Sequence, residues 1–357
     1  MESMSDASND LNVQESDSGL PYDMVTVPEG VGGASQSVAA SEQCDDNERS
    51  YDLRRMDDIK ELISTNDDYF IKNNFNEHIR TMIESHDFHD KYNFIFLIDV
   101  ANSIERAHVE RIYSAIQKFQ DKNKDIVLFL RSLGGGPEPA YLISQLCNKF
   151  KKNKFIVVIP AEAKSAATLL SFGADEIHMG PMSELGPIDV QVDGVPLLSV
   201  SSALSKIASI VQEYPKSSSM FAEYLTRNLN IRLIGYYDRV TESATQYAQI
   251  LLRDKHDDKT NKKAEQIANH FTNHYKDHGF VIDVEESKKI LGPRMVKDSS
   301  DFYHLGAKIL EFINTVEFIY LLSGERKRVV FVGSGCEMML ENANKDEVLL
   351  RDVRGLC

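Results

Sequence analysis

Short apolar runs bounded by polar residues recur along the chain from residue 51 onward. Such runs are typical of strands buried on both faces, and they occupy residues 93–99, 125–130, 155–160 and 175–180. The segment between the first two runs carries Ile104, Ile112 and Ile116 at helical spacing, which predicts an amphipathic helix with Ser103 as its N-cap. The pattern therefore predicts strands that alternate with helices.

This alternation favours an α/β fold, a mainly parallel sheet flanked by helices with right-handed crossovers. We expect the runs 125–130 and 155–160 to form adjacent parallel strands. Open parallel sheets carry their chemistry at the carboxyl ends of the strands. Two unusual loops, 131–139 and 161–165, leave such ends, so both are candidates for a functional site.

Beyond residue 189 the pattern becomes mainly helical, with one last strand predicted in the segment RKRVVFVGS. We therefore divide the chain into a tail (1–50), an α/β domain (51–325) and a C-terminal segment of unknown role (326–357). Within the α/β domain, we expect the sheet to be followed by a helical C-terminal extension.

Charge separates the tail from the body. The whole chain has a formal charge of −15, and residues 1–50 hold eleven Asp and Glu residues with one Arg, which leaves −5 for the remainder. A polar, acidic segment without apolar runs is expected to be disordered. The body lacks the clustered Lys and Arg that a nucleic-acid partner requires.

The sequence shows no clear signal for secretion, membrane insertion or metal binding. The start of the chain does not resemble a secretory signal, and no apolar run reaches the eighteen or so residues of a membrane span, so we expect a cytoplasmic protein. The cysteines lack the spacing of a zinc site or a disulfide framework, and we expect no metal or cofactor. Cys147 lies on the apolar face of a predicted helix, where a reduced core thiol is expected.

The glycine-rich loop SLGGGPEP has two interpretations. It lacks the Lys-Ser/Thr pair of a phosphate-binding P-loop, so it is either a flexible turn or an oxyanion hole. Glycine allows backbone N–H groups to approach a substrate without a Cβ in the way, and preorganised amides stabilise a tetrahedral oxyanion.

Ser165 likewise has two interpretations, a helix N-cap or a nucleophile. Its neighbours Ala163, Ala166 and Ala167 are small, as a nucleophile at a sharp strand-to-helix turn requires. The amide of Ala166 is expected at the helix N-terminus, where the dipole favours a developing anion.

Three ordered segments, SLGGGPEPA, AKSAATLLSFGADEI and MSELGPIDVQ, resemble the serine dehydrogenase proteinase family, relatives of the Clp protease proteolytic subunit and signal peptide peptidase A within the ClpP/crotonase fold. The resemblance covers about residues 90–295. It implies a serine endopeptidase that acts through an acyl-enzyme. The roles it implies are Ser165 as nucleophile, Asp189 as orienting carboxylate, His278 as general base, and Gly135 and Ala166 as oxyanion donors.

Alternatives remain for the base. His270, His274 and His304 lie in the same region of the sequence as His278, whereas His178 follows the Ser165 helix on a predicted strand and is expected to be a core or edge residue. Asp189 could instead hold a loop through an Asx-type hydrogen bond. A serine–lysine dyad of the signal peptide peptidase A kind would use Lys206, which must be desolvated to act as a base. Lys164 is too close in sequence to turn back onto Ser165.

Three function classes follow. The leading one is a cytosolic serine peptidase that cuts peptides or unfolded protein segments and assembles as a homo-oligomer. The second is an acyl-CoA enzyme of the crotonase type, which the serine within AKSAA disfavours. The third is a catalytically inactive peptide-binding or oligomerisation module with the same fold.

Overall fold

The structure is a computed structural model that describes residues 50–188, 191–192, 195–228, 231–253, 255, 262–275 and 277–339. The acidic tail and the last residues of the chain lie outside this description, as do Asp189 and Val190. Among the described residues, no helix has the length and hydrophobicity needed to cross a membrane.

Eleven strands and eleven α-helices follow one another in the described part of the chain. The strands are Tyr92–Ile98 (β1), Asp125–Arg131 (β2), Phe155–Val158 (β3), Glu162–Ala163 (β4), Glu176–Met179 (β5), Glu184–Leu185 (β6), Gln191–Val192 (β7), Val195–Pro196 (β8), Val296–Asp298 (β9), Arg328–Gly333 (β10) and Gly335–Met339 (β11). The helices are Met56–Ser64 (α1), Asp68–Glu84 (α2), Arg106–Gln117 (α3), Pro137–Phe150 (α4), Ala166–Ser171 (α5), Leu197–Glu213 (α6), Ser218–Asn228 (α7), Ile231–Leu252 (α8), Lys262–Asn273 (α9), Val284–Leu291 (α10) and Asp301–Leu322 (α11).

Seven of these strands form the main sheet in the order β11-β10-β1-β2-β3-β5-β9. The five strands from β1 to β9 are parallel, and β10 and β11 add an antiparallel edge beside β1. The α/β fold predicted from the alternation is confirmed, and so is the parallel pairing of β2 with β3. The segment after residue 325 supplies β10, the strand expected in RKRVVFVGS, and also β11, which the sequence pattern did not predict.

The central strands are apolar along their whole length because both faces of the sheet are covered. In β1, Ile95 and Leu97 belong to one core, whereas Phe96 and Ile98 belong to the other. The first core contains residues of α3, α4, α5, α8 and α9, and the second contains residues of α1, α2 and α11. Burial on both faces produces continuous rather than alternating apolar runs.

The N-terminus of α3 corrects one prediction. The helix begins at Arg106, with Glu105 as its N-cap and His108 completing a capping box; Ser103 is exposed and lies outside the helix. The reason is that Ile104 pairs with Gly135 in an isolated parallel bridge, which keeps the backbone extended for two residues beyond the predicted cap.

Cys147 confirms the prediction of a reduced core thiol. It is a fully buried, free cysteine of α4, and burial raises the pKa of its thiol, because a thiolate is poorly solvated in an apolar interior.

Candidate active site

The turn that carries Ser165 is sharp and strained. It connects the two-residue strand β4 to α5, and Ser165 is the N-cap of this helix with φ 50° and ψ −117°. A non-glycine residue seldom adopts positive φ, and such strain is concentrated at functional sites. Ser165 thus occupies the N-cap position that one of its two interpretations predicted, but its side chain makes no capping hydrogen bond.

The glycine loop lies directly against this turn. A Cβ added to Gly134 would stand 2.7 Å from Ser165 Cβ and 2.9 Å from the carbonyl oxygen of Lys164. Gly134 also has a φ of 107°, and Gly135 a φ of 148°. Only glycine combines such dihedrals with so close an approach of two backbones.

Two backbone N–H groups border this contact. Ala166 occupies the first position of α5, where an N–H has no partner within the helix. The position of a Cβ on Gly134 is 3.1 Å from the Ala166 nitrogen, so the glycine loop and the helix N-terminus meet there. Within the described residues, neither the Gly135 N–H nor the Ala166 N–H donates a hydrogen bond. Both donors are thus available to a ligand at the turn.

Backbone pairing at the end of β2 holds the Ser165 turn in place. Ser132 pairs with Ala163 in a parallel bridge: the Ser132 N–H donates to the carbonyl of Glu162, and the Lys164 N–H donates to the carbonyl of Ser132. The side chains of Arg131 and Glu162 form an ion pair of 3.0 Å above this bridge, and both are largely buried.

The side chain of Lys164 binds oxygen atoms of two neighbouring segments. Its Nζ lies 2.6 Å from a carboxylate oxygen of Glu184 and 3.2 Å from the carbonyl oxygen of Leu185. The same Nζ donates to the carbonyl of Phe280 at 3.5 Å. Lys164 therefore links the turn to two other segments and is already engaged by three oxygen atoms.

One of those segments carries His278. This histidine is half-buried in the turn after Tyr275, two residues before the Phe280 carbonyl that Lys164 contacts. Ile282 then pairs with Leu185 through two backbone hydrogen bonds of 2.9 and 3.0 Å. The structure thus brings the segment of His278 to the strand next to the Ser165 turn, although no hydrogen bond among the described residues involves Ser165 Oγ. Asp189, three residues beyond Gly186, lies outside the described residues.

Comparison with known proteins assigns the family. Residues 69–305, more than half of the chain, match the family model of the ClpP-like SDH-type serine proteinases. The chain belongs to this family. It is therefore a serine peptidase, as the resemblance of the three sequence segments implied. The sequence matches no curated protein.

Among solved structures, the chain is similar to the following proteases. A variant of the 1510-N membrane-bound stomatin-specific protease has 14% sequence identity and a TM-score of 0.36, covering 63% of this chain and 84% of that one. A second variant of the same protease, in complex with a substrate peptide, has 15% identity and a TM-score of 0.36, with coverages of 73% and 98%. ClpP1 from Listeria monocytogenes has 16% identity and a TM-score of 0.36, with coverages of 63% and 98%.

The alternative base Lys206 of this SDH-type proteinase is exposed on α6, a helix that packs chiefly on the 3₁₀ turn Pro215–Ser217 and less on α7 and β8. A lysine acts as a base at neutral pH only when desolvation lowers its pKa. Because Lys206 is exposed rather than buried among the described residues, the structure does not favour it as the base.

The other candidate histidines are engaged or remote. His178 is buried on β5, with its Nδ1 2.6 Å from Ser300 Oγ and its ring against Phe302. Burial lowers the pKa of His178, although Glu176 opposes the shift. His270 and His274 stack on each other at 4.2 Å near the end of α9, and His304 is exposed on α11.

One buried polar cluster near the glycine loop was not predicted from the sequence. His108 Nε2 lies 3.3 Å from Asp99 Oδ2, and both residues are almost fully buried. Asp99 follows β1 directly, at the carboxyl edge of the sheet where catalytic residues are expected. The sequence pattern of β1 predicts only a buried strand, so it gives no sign that Asp99 is part of a polar cluster. In the described part of the chain, no group of three or more His, Cys, Asp or Glu residues could hold a metal ion.

Proposed function

We propose that this peptidase cleaves peptide bonds through an acyl-enzyme at Ser165. The observation that carries the proposal is the strained backbone of Ser165, held at the N-terminus of α5 with the Gly134–Gly135 backbone against it. A strained strand-to-helix turn exposes a nucleophilic oxygen. The N–H groups of Gly135 and Ala166, which have no hydrogen-bond acceptor among the described residues, would provide an oxyanion hole beside it.

The reaction takes two steps. Ser165 Oγ attacks the scissile carbonyl carbon while the base accepts the hydroxyl proton, and the carbonyl oxygen becomes an oxyanion that the amides of Gly135 and Ala166 stabilise. The C–N bond then breaks, and the protonated base returns its proton to the leaving amine. Water attacks the acyl-enzyme by the same route and releases the acid, which restores Ser165.

For the base we propose His278, oriented by Asp189. The position of the His278 segment supports it: Ile282 pairs with Leu185, and Lys164, the neighbour of Ser165, binds the Phe280 carbonyl. The exposure of Lys206 disfavours the serine–lysine dyad. In apo structures a catalytic hydrogen bond is often not yet formed, so this role does not require the described residues to include a hydrogen-bond partner for Ser165 Oγ.

The proposed substrates are peptides or unfolded protein segments in the cytoplasm, and the proposed assembly is a homo-oligomer. Exposed apolar side chains on and before α7, namely Tyr214, Met220 and Tyr224, support association, because clustered apolar surface often marks an interface between proteins.

Peptidase assays of single variants test the proposal. Ser165→Ala should lower kcat by about 10⁴-fold or more, since only binding and the oxyanion hole remain, and His278→Ala should lower it similarly. Lys206→Ala should retain activity. His274→Ala and Lys216→Ala serve as controls on neighbouring surface positions.

Each contrary result has a distinct meaning. An active His278→Ala with an inactive Lys206→Ala would replace the triad by the dyad. An active Ser165→Ala variant would show that Ser165 is not the nucleophile. Inactivity of the parent protein on every peptide would favour the non-catalytic module, for which the supporting observation is that no described residue forms a hydrogen bond with Ser165 Oγ.

A further inference from the structure

The loop after β1 is organised by the buried Asp99 carboxylate. Its Oδ1 accepts hydrogen bonds from the backbone N–H groups of Ala101 and Asn102 at 2.9 and 2.8 Å. Its Oδ2 accepts from Asn102 Nδ2 at 3.0 Å and faces His108 Nε2 at 3.3 Å. Burial opposes ionisation, but the hydrogen bonds from His108 and Asn102 outweigh it and hold the pKa of Asp99 below its ordinary value.

His108 holds the other end of the same loop, at the N-cap of α3. The Glu105 N–H donates to His108 Nδ1 at 3.2 Å, so Nδ1 is an acceptor and Nε2 carries the proton donated to Asp99. One imidazole ring therefore connects the start of the loop, at Asp99, to its end, at the N-cap of α3. This arrangement uses both ring nitrogens of a neutral histidine.

The loop held in this way carries the glycine backbone. The Ile104 N–H donates to the Gly134 carbonyl at 2.8 Å, and the Gly136 N–H donates to the Ile104 carbonyl at 2.9 Å. A Cβ on Gly135 would stand only 2.2 Å from the Ile104 nitrogen. The Gly135 peptide is thus fixed between two hydrogen bonds to Ile104, and its position depends on the position of the loop.

We propose that Asp99 and His108 are positioning residues for the oxyanion hole: they fix the loop 99–105, and through Ile104 this loop sets the Gly135 N–H relative to Ser165. The inference rests on the proposed function of Ser165. Neither side chain touches the substrate. Their effect is on the geometry of one amide donor, which matters most when negative charge develops on the carbonyl oxygen.

Steady-state kinetics with a transition-state analogue test this role. Asp99→Ala and His108→Leu should lower kcat by about 10- to 100-fold, somewhat less than complete loss of an oxyanion donor, with KM changed little. Affinity for a peptide aldehyde, whose adduct with Ser165 places an oxyanion in the hole, should fall by the same factor. His108→Asn, which restores an acceptor for the Glu105 N–H, should recover part of kcat.

The control is His178→Asn, which alters a histidine of similar burial on the other face of the sheet and should leave kcat unchanged. Parental kcat and aldehyde affinity in Asp99→Ala and His108→Leu would overturn the inference. So would failure of even His108→Asn to fold, since the pair would then serve stability alone. Ser165→Ala, measured alongside, separates the two proposals: if it remains active the proposed function fails, and if it is inactive while the pair variants are unaffected, only this inference fails.

Discussion

Replacing Ser165 by glycine should stabilise the protein relative to replacing it by alanine. Both substitutions remove the hydroxyl, and neither loses a capping hydrogen bond because Ser165 makes none. They differ in the Cβ, which forces alanine to keep the strained φ of 50° and ψ of −117°. These dihedrals are those of the first central residue of a type II′ turn, where glycine is preferred.

The magnitude follows from two opposing contributions. Strain at a non-glycine residue in such a region costs about 1–3 kcal/mol, which glycine relieves. Glycine in turn makes the unfolded chain more flexible, at a cost of about 0.5–1 kcal/mol. The free energy of unfolding of Ser165→Gly should therefore exceed that of Ser165→Ala by about 1 kcal/mol.

Urea unfolding at matched protein concentration measures this difference. Ser171, in the same helix α5 and buried, provides the control: in regular helical backbone, Ser171→Gly should be about 1 kcal/mol less stable than Ser171→Ala. If Ser165→Gly is equal to or less stable than Ser165→Ala, Ser165 is not strained, and the observation that carries the proposed function is lost.

Four other measurements probe the surroundings of the site. Lys164→Met should lower kcat by about tenfold, because a tie between the Ser165 turn and the His278 segment is lost; unchanged kinetics would show that Lys164 positions nothing. Gly135→Ala should lower the free energy of unfolding by about 3 kcal/mol or more, because the added Cβ would stand 2.2 Å from the Ile104 nitrogen. A thermal unfolding midpoint equal to that of the parent protein would contradict this close contact. Cys147 and Cys336 should resist iodoacetamide at pH 8 until the protein unfolds, since burial raises the pKa of Cys336 to about 12 and that of Cys147 further; mass spectrometry showing rapid native labelling would refute their burial. Asp175 is half-buried, which opposes ionisation, yet hydrogen bonds from Lys151 and Lys255 hold its pKa below the ordinary value. The ionised Asp175 therefore stabilises the fold at pH values above its ordinary pKa, and this stabilisation is lost as the pH falls through the lower pKa of the folded state. Asp175→Asn should lower the free energy of unfolding by about 1–3 kcal/mol at pH 7 and flatten the acid limb of the stability curve, whereas an unchanged acid limb would contradict the shift.

The strands and the Ser165 turn were predictable because each leaves a distinctive pattern in a short stretch of sequence. Burial on both faces makes β1, β2 and β3 continuous apolar runs, and the small residues around Ser165 follow from the close approach of Gly134. The N-cap of α3 was not predictable, since it depends on the bridge between Ile104 and Gly135, a pairing of residues distant in sequence.

The polar contacts around the site are non-local in the same way. Lys164 contacts Glu184 and Phe280 only because three segments meet in the fold. The spacing of these residues in the sequence does not predict that they are neighbours. The pairing of Asp99 with His108 spans nine residues, yet it is visible only once the loop between them folds back. The final hairpin β10–β11 joins the sheet beside β1, although more than two hundred residues separate them in sequence.

Covalent labelling with a fluorophosphonate probe, followed by peptide mapping, tests most directly whether Ser165 is an activated nucleophile. Such probes phosphonylate a serine only when a base and an oxyanion hole activate it. The account predicts one adduct, on the peptide that contains Ser165, with none in Ser165→Ala and normal labelling in Ser171→Ala. No adduct on the folded parent protein, or an adduct on a different serine that persists in Ser165→Ala, would contradict it.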